Sequence, residues 1–144
     1  MRSRPARNAC LLAALLLAGC GDVKSPTEPS SAPEGPAFTF TQVQAQIFTP
    51  TCAKAGCHAA SAASGGLVLE AGRAYGEIVN RPAVGNASLD HIEPGDPERS
   101  YLIKKLRGDP DITGAQMPLD TPGGLTREQM DGLLGWVLAG APNN

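Results

Sequence analysis

From Phe38 onward, apolar residues gather in four groups with helical spacing, separated by stretches rich in glycine, proline and small polar residues. Val43, Ile47 and Phe48 form the first inward face, with Thr41 and Gln44 as its capping box and Pro50 as its end. A weaker helix is expected over 71–79, after a Leu67-Val68-Leu69 run short enough to be extended chain. Asp96 as N-cap, with Pro97 at the first helical position, opens a third helix. It carries Tyr101, Leu102, Ile103 and Leu106 and closes at Gly108. Thr126 with Gln129 caps the fourth, whose stripe of Leu125, Met130, Leu133, Leu134 and Val137, together with Trp136, stops at Gly140. The pattern predicts a small all-α domain of about four short helices and irregular loops over residues 38–144.

The segment ahead of this domain follows other rules. Arg2, Arg4 and Arg7 precede a Leu/Ala-rich run at 9–18, and small residues follow, which is the build of a secretory signal. The run is too short for a permanent span, which needs about 20 apolar residues. Leu17-Ala18-Gly19 directly before Cys20 resembles the bacterial lipobox. That resemblance implies removal of residues 1–19 and lipidation of Cys20, and Gly21 in place of aspartate implies the periplasmic face of the outer membrane. The alternative is an ordinary signal with a coincidental cysteine. Gly21 to Pro36 holds four prolines and one large apolar residue, Val23, so residues 20–37 are expected to be a tether that cannot offset its own ordering entropy.

Composition narrows the function classes. Seventeen glycines and 13 prolines among 144 residues argue against a coiled coil, and three Phe, two Tyr and one Trp leave few large side chains to fill a core. The formal net charge is −2, and loss of the three signal arginines takes it near −5. Such a balance disfavours nucleic acid and suits solubility and basic partners.

Four cysteines are present, but Cys10 lies in the signal and Cys20 at the lipidation point, which leaves Cys52 and Cys57 to the domain. They stand in Cys52-Ala53-Lys54-Ala55-Gly56-Cys57-His58, a Cys-x4-Cys-His sequence. A cysteine pair closed directly by histidine is the signature of covalent haem attachment, although the usual spacing is Cys-x2-Cys-His. The residue types follow from the chemistry: two thiols add across two vinyl groups, and the adjoining imidazole becomes the proximal iron ligand. A Cys52–Cys57 disulfide is a competing reading for an exported protein. So is zinc held by Cys52, Cys57, His58 and His91, although adjacent residues seldom both ligate one tetrahedral ion. A Cys–His nucleophile pair lacks a third, orienting group.

After processing, Met117, Met130 and His91 are the candidates for the opposite axial position. Met130 falls in the buried stripe of the fourth helix. Met117 lies in Gly114-Ala115-Gln116-Met117-Pro118, where Pro118 biases it away from the helical region and onto a loop. Met117 as a core gap filler remains an alternative. His91, between Asp90 and Glu93, reads as an exposed loop histidine. An early Cys-His and a late Met-Pro followed by one last helix resemble the single-haem cytochromes c, over about residues 42–141. The resemblance implies a cytochrome c-like fold around one haem c, thioethers at Cys52 and Cys57, His58 as proximal ligand and Met117 as distal ligand.

A His/Met-ligated iron has no open site, which implies a one-electron carrier rather than an enzyme. Its expected partners are redox proteins in the periplasm or membrane, with the chain itself a monomer. The alternatives are a haem-free, disulfide-closed surface lipoprotein that acts as a binding module, and a peroxidase or gas-binding protein with an open distal side. Lys104, Lys105 and Arg107 at the end of the third helix are read as complementing its dipole, or else as a contact for a partner or a propionate.

Overall fold

The structure, a computed structural model, describes Pro33 and residues 35–144; the signal, Cys20 and most of the expected tether lie outside the described residues. The first helix, α1 (Phe40–Val43), continues without a break into a nine-residue π-helical segment, Gln44–Cys52. Its capping box is made by Thr39 and Gln42, two residues earlier than the expected pair. Both expected residues are engaged elsewhere. Thr41 Oγ1 donates to the Asn144 carbonyl at 2.9 Å, and Gln44, buried, donates through Nε2 to the Leu69 carbonyl at 3.0 Å. Nor does the helix end at Pro50. The wider π coil, with Ala53 N–H bonded to the Phe48 carbonyl at 2.7 Å, carries the chain past a residue that has no N–H to donate. That extension delivers Cys52 on the last turn of a regular element.

Leu67, Val68 and Leu69 are buried extended chain, and α2 (Ala74–Ile78) is shorter than the helix expected there. A two-stranded antiparallel ribbon follows, β1 (Pro82–Ala83) with β2 (Asn86–Asp90), which the hydrophobic pattern does not foresee. The described residues are therefore mixed, short helices with one two-stranded ribbon, and not clearly the all-α domain expected.

Asp96 does cap a turn, accepting from the Arg99 amide at 3.1 Å, but the turn is a single 3-10 piece, Pro97–Arg99. Ser100 then breaks the helix: it is fully buried, and its hydroxyl donates to the Asp96 carbonyl at 2.8 Å and accepts from the Glu93 amide at 2.9 Å. The helix restarts as α3 (Tyr101–Arg107) and ends at Gly108, whose φ of 77° is the left-handed cap that a side chain would strain. The last helix, α4 (Arg127–Leu138), has the capping box of Thr126 and Gln129 and buries Leu133, Leu134, Trp136 and Val137.

The core sits between α1, α3 and α4. Phe40 is its aromatic hinge, edge-on to Tyr75 at 5.0 Å and tilted against Trp136 at 5.6 Å. Gly132 and Gly135 present a smooth face of α4 on which the entering chain lies. A β-carbon at Gly132 would stand 2.5 Å from the Phe38 ring, and one at Gly135 would stand 2.8 Å from Ala37 Cα. Phe38 N–H bonds the Gly132 carbonyl at 3.0 Å, and Asn144 accepts from the first turn of α1, so both ends of the domain are fastened to the same helical pair. Among the described residues, no helix is long and apolar enough to cross a membrane.

Candidate functional site

Between the Cys52–His58 segment, the ribbon, α3 and the loop that follows α3 lies a cavity of about 470 Å³. Its walls are largely apolar, with Ile47, Phe48, Leu67, Leu69, Leu102 and Leu106. That volume and character are those of a small-molecule or cofactor site. Cys52, Cys57, His58 and Met117, distant along the chain, all line it.

The Cys52–His58 segment folds as a tight loop closed on itself. His58 N–H bonds the Cys52 carbonyl at 3.1 Å, and Cys57 N–H bonds the Lys54 carbonyl at 2.9 Å. Gly56, at φ 83°, supplies the left-handed residue between the cysteines. Both cysteines are free thiols, without the bridge that the disulfide reading requires. Burial pushes the Cys52 thiol from the ordinary 9.0 up to about 11, and Lys54 opposes that shift only in part. In the folded apo-protein this thiol stays protonated through pH 9, whereas the unfolded thiol ionises there. Stability therefore holds below about pH 9 and falls as pH rises towards 11, by about 2–3 kcal/mol. Urea unfolding of the apo-protein at pH 8 and pH 11 should reveal that loss, and Cys52→Ala should remove this share of it.

His58 is oriented by a single contact. Its Nδ1 lies 3.2 Å from the Leu67 carbonyl, and with the proton on Nδ1 the ring donates there and leaves Nε2 as the basic nitrogen. Imidazoles that ligate metals are habitually held in this way. The Leu67 carbonyl is fixed by the buried Leu67–Leu69 run, and the Leu69 amide returns to the His58 carbonyl at 2.8 Å.

Met117 hangs from α3. Its N–H bonds the Lys105 carbonyl at 2.9 Å, and the flanking Gln116 Nε2 donates to the Leu106 carbonyl at 2.8 Å. The Lys105 ammonium donates to the carbonyls of Thr113, at 3.0 Å, and Ala115. Tyr101, buried, accepts from the Thr113 amide at 2.9 Å through its phenol oxygen, which fits only because Gly85 has no β-carbon. None of these loop anchors was visible as such in the sequence. The pairing of Gly85 with a downstream tyrosine leaves no local pattern to read.

The cations of α3 are engaged within the domain. Lys104 pairs with Asp111 at 3.1 Å, which raises its pKa, and Arg107 pairs with Glu98 at 2.6 Å. Lys105 is the loop anchor just described. Across the cavity mouth, Lys54 of the cysteine loop meets Asp120 of the methionine loop at 2.9 Å, and the Lys54 ammonium lowers the Asp120 pKa.

His91 departs from expectation. It is half-buried and lines the same cavity, immediately after β2, with its N–H on the Arg81 carbonyl at 2.7 Å and its carbonyl accepting from Leu102 N–H at 2.9 Å. Its ring stands edge-on to Tyr101 at 6.5 Å. Burial lowers its pKa below 6.5, and the neighbouring His58 adds to the effect against Asp90. Met130 packs against the core and is not among the residues lining the cavity. Among the described residues, no three His, Cys, Asp or Glu side chains converge on a point that could hold a metal ion, so the zinc reading gains no cage.

The fold thus brings a soft thioether, an oriented imidazole and two thiols onto one apolar cavity. In comparisons with known proteins, the chain matches no family model, no curated protein and no solved structure.

Proposed function

We propose that this protein is a haem c-binding electron carrier of cytochrome c-like fold, exported and lipid-anchored through Cys20 at the periplasmic face of the outer membrane. The observation that carries the reading is the convergence of Cys52, Cys57, His58 and Met117 on one apolar cavity. A disulfide-closed binding module would have no use for a methionine loop aimed at the same space.

When bound, the haem supplies one-electron exchange between ferrous and ferric iron. The chain's own groups do the rest. Cys52 and Cys57 would hold the haem through their sulfurs, each thiol adding across one vinyl group so that no external oxidant is needed. His58, with its proton on Nδ1 against the Leu67 carbonyl, would hold the iron through Nε2. Met117 offers its thioether from a loop tied to α3, and a thioether favours the ferrous state, raising the potential. Ile47, Phe48, Leu102 and Leu106 exclude water, so little solvent must reorganise when the charge changes. With His58 and Met117 both holding the iron, no substrate site would be left, and redox proteins would be the partners.

Met117→Ala tests the ligand assignment in matured protein. The far-red band of iron–sulfur ligation should disappear and the potential should fall, while covalent attachment persists. An unchanged band would clear Met117 of the role.

A further inference from the structure

Resting on the haem reading above, we infer that Tyr101 is a positioning residue for Met117: its buried phenol oxygen holds the Thr113 amide and so sets where the methionine loop meets the cavity. Thr113 is an exposed residue four positions ahead of Met117, yet each of its polar groups is claimed by a different residue of the cavity wall. Its N–H donates to the Tyr101 phenol oxygen at 2.9 Å and its hydroxyl to the Gly85 carbonyl at 2.7 Å. Its carbonyl accepts from the Lys105 ammonium at 3.0 Å. The Lys105 ammonium sits on a flexible stem that water can draw away. Tyr101 is only 4% exposed, and a ring packed on all sides has one place to put its oxygen.

Gly85, in the turn between β1 and β2, makes that place. A β-carbon there would stand 2.3 Å from the phenol oxygen and 2.8 Å from Cζ of the same ring. Gly85 is outside the left-handed region, so the position demands space rather than backbone freedom. The ribbon turn therefore rests directly on the phenol while its carbonyl takes the Thr113 hydroxyl. From Thr113 the chain returns to α3 at Met117, whose N–H is on the Lys105 carbonyl at 2.9 Å. Residues 114–116 are thus a short span fixed at both ends, and the thioether starts from its far end. Loss of the phenol oxygen loosens the first end and leaves the second tied, which displaces Met117 without removing it.

Imidazole titration of the ferric, haem-matured protein tests the assignment, because added imidazole must displace Met117 in order to bind. Tyr101→Phe removes one oxygen and keeps the ring, and circular dichroism verifies the fold. The lost hydrogen bond is expected to raise imidazole affinity about two- to twelve-fold. In a Met117→Ala background there is no thioether to displace, and Tyr101→Phe is expected to leave imidazole affinity unaltered. Gly85→Ala, which forces the phenol off Thr113 from the ribbon side, is expected to repeat that pattern. An unchanged affinity in Tyr101→Phe, or a shift of equal size with and without Met117, would show that Tyr101 does not act through the methionine, although the haem reading would stand. If wild-type protein carries no covalent haem, both readings fall together, and mass spectrometry tells the two failures apart.

Discussion

His58→Gly should abolish the low-spin spectrum of the matured protein, and free imidazole in the buffer should restore it. The expected effect is large because no other side chain duplicates what His58 offers: an imidazole in sequence contact with a thioether, its Nδ1 on the Leu67 carbonyl and its Nε2 free. The contact at 3.2 Å fixes the ring plane, and a glycine leaves a gap that exogenous imidazole can fill. His91, the other imidazole lining the cavity, is held by backbone bonds to Arg81 and Leu102 and is not adjacent in sequence to a cysteine. Optical spectra with and without imidazole, together with the mass of the bound haem, would check the result. A low-spin spectrum that survives in His58→Gly without imidazole would move the proximal role elsewhere.

Trp136→Ala should be the most damaging single change to the fold. The indole is fully buried, stacks at a tilt on Phe40, and donates from Nε1 to the Pro142 carbonyl at 2.9 Å. Removing a buried Trp leaves a cavity that costs about 3–5 kcal/mol. A domain of this size has about 5–15 kcal/mol in total, so the apo-variant should lose a large share of its stability. Trp136→Phe keeps most of the ring and leaves the Pro142 carbonyl without its donor, at about 1–3 kcal/mol. Urea titrations of the two apo-variants should fall in that order, and equal midpoints would contradict the packing described here.

That Cys52, Cys57, His58 and Met117 are candidates for one site was legible because they are few and their neighbours set them apart, and all four line one cavity. Two cysteines closed by histidine and one methionine pinned before proline stand out in a domain with little else that binds metal. Helix α4 was legible too, because a capping box, an apolar stripe and a glycine stop all agree. Elsewhere distant partners outvoted local signals. Thr41 and Gln44 look like a cap, but the Asn144 and Leu69 carbonyls claim them, and Thr39 and Gln42 make the cap instead. Asp96 caps as expected, yet buried Ser100 stops the helix within one turn. Strand β1 has two residues, too few for any alternation to be read. His91 was misread for a related reason. Its charged neighbours suggest an exposed loop, but hydrogen bonds on both sides hold it at the edge of the ribbon beside the cavity. Lys105, read as a dipole partner, is the tie that fixes the methionine loop.

The most direct measurement is the intact mass of the wild-type protein after co-expression with a c-type haem maturation system, with acid–acetone extraction alongside. A mass raised by one haem, with colour that stays in the protein pellet, is the predicted result. An unmodified mass and a colourless pellet from a competent host would contradict it.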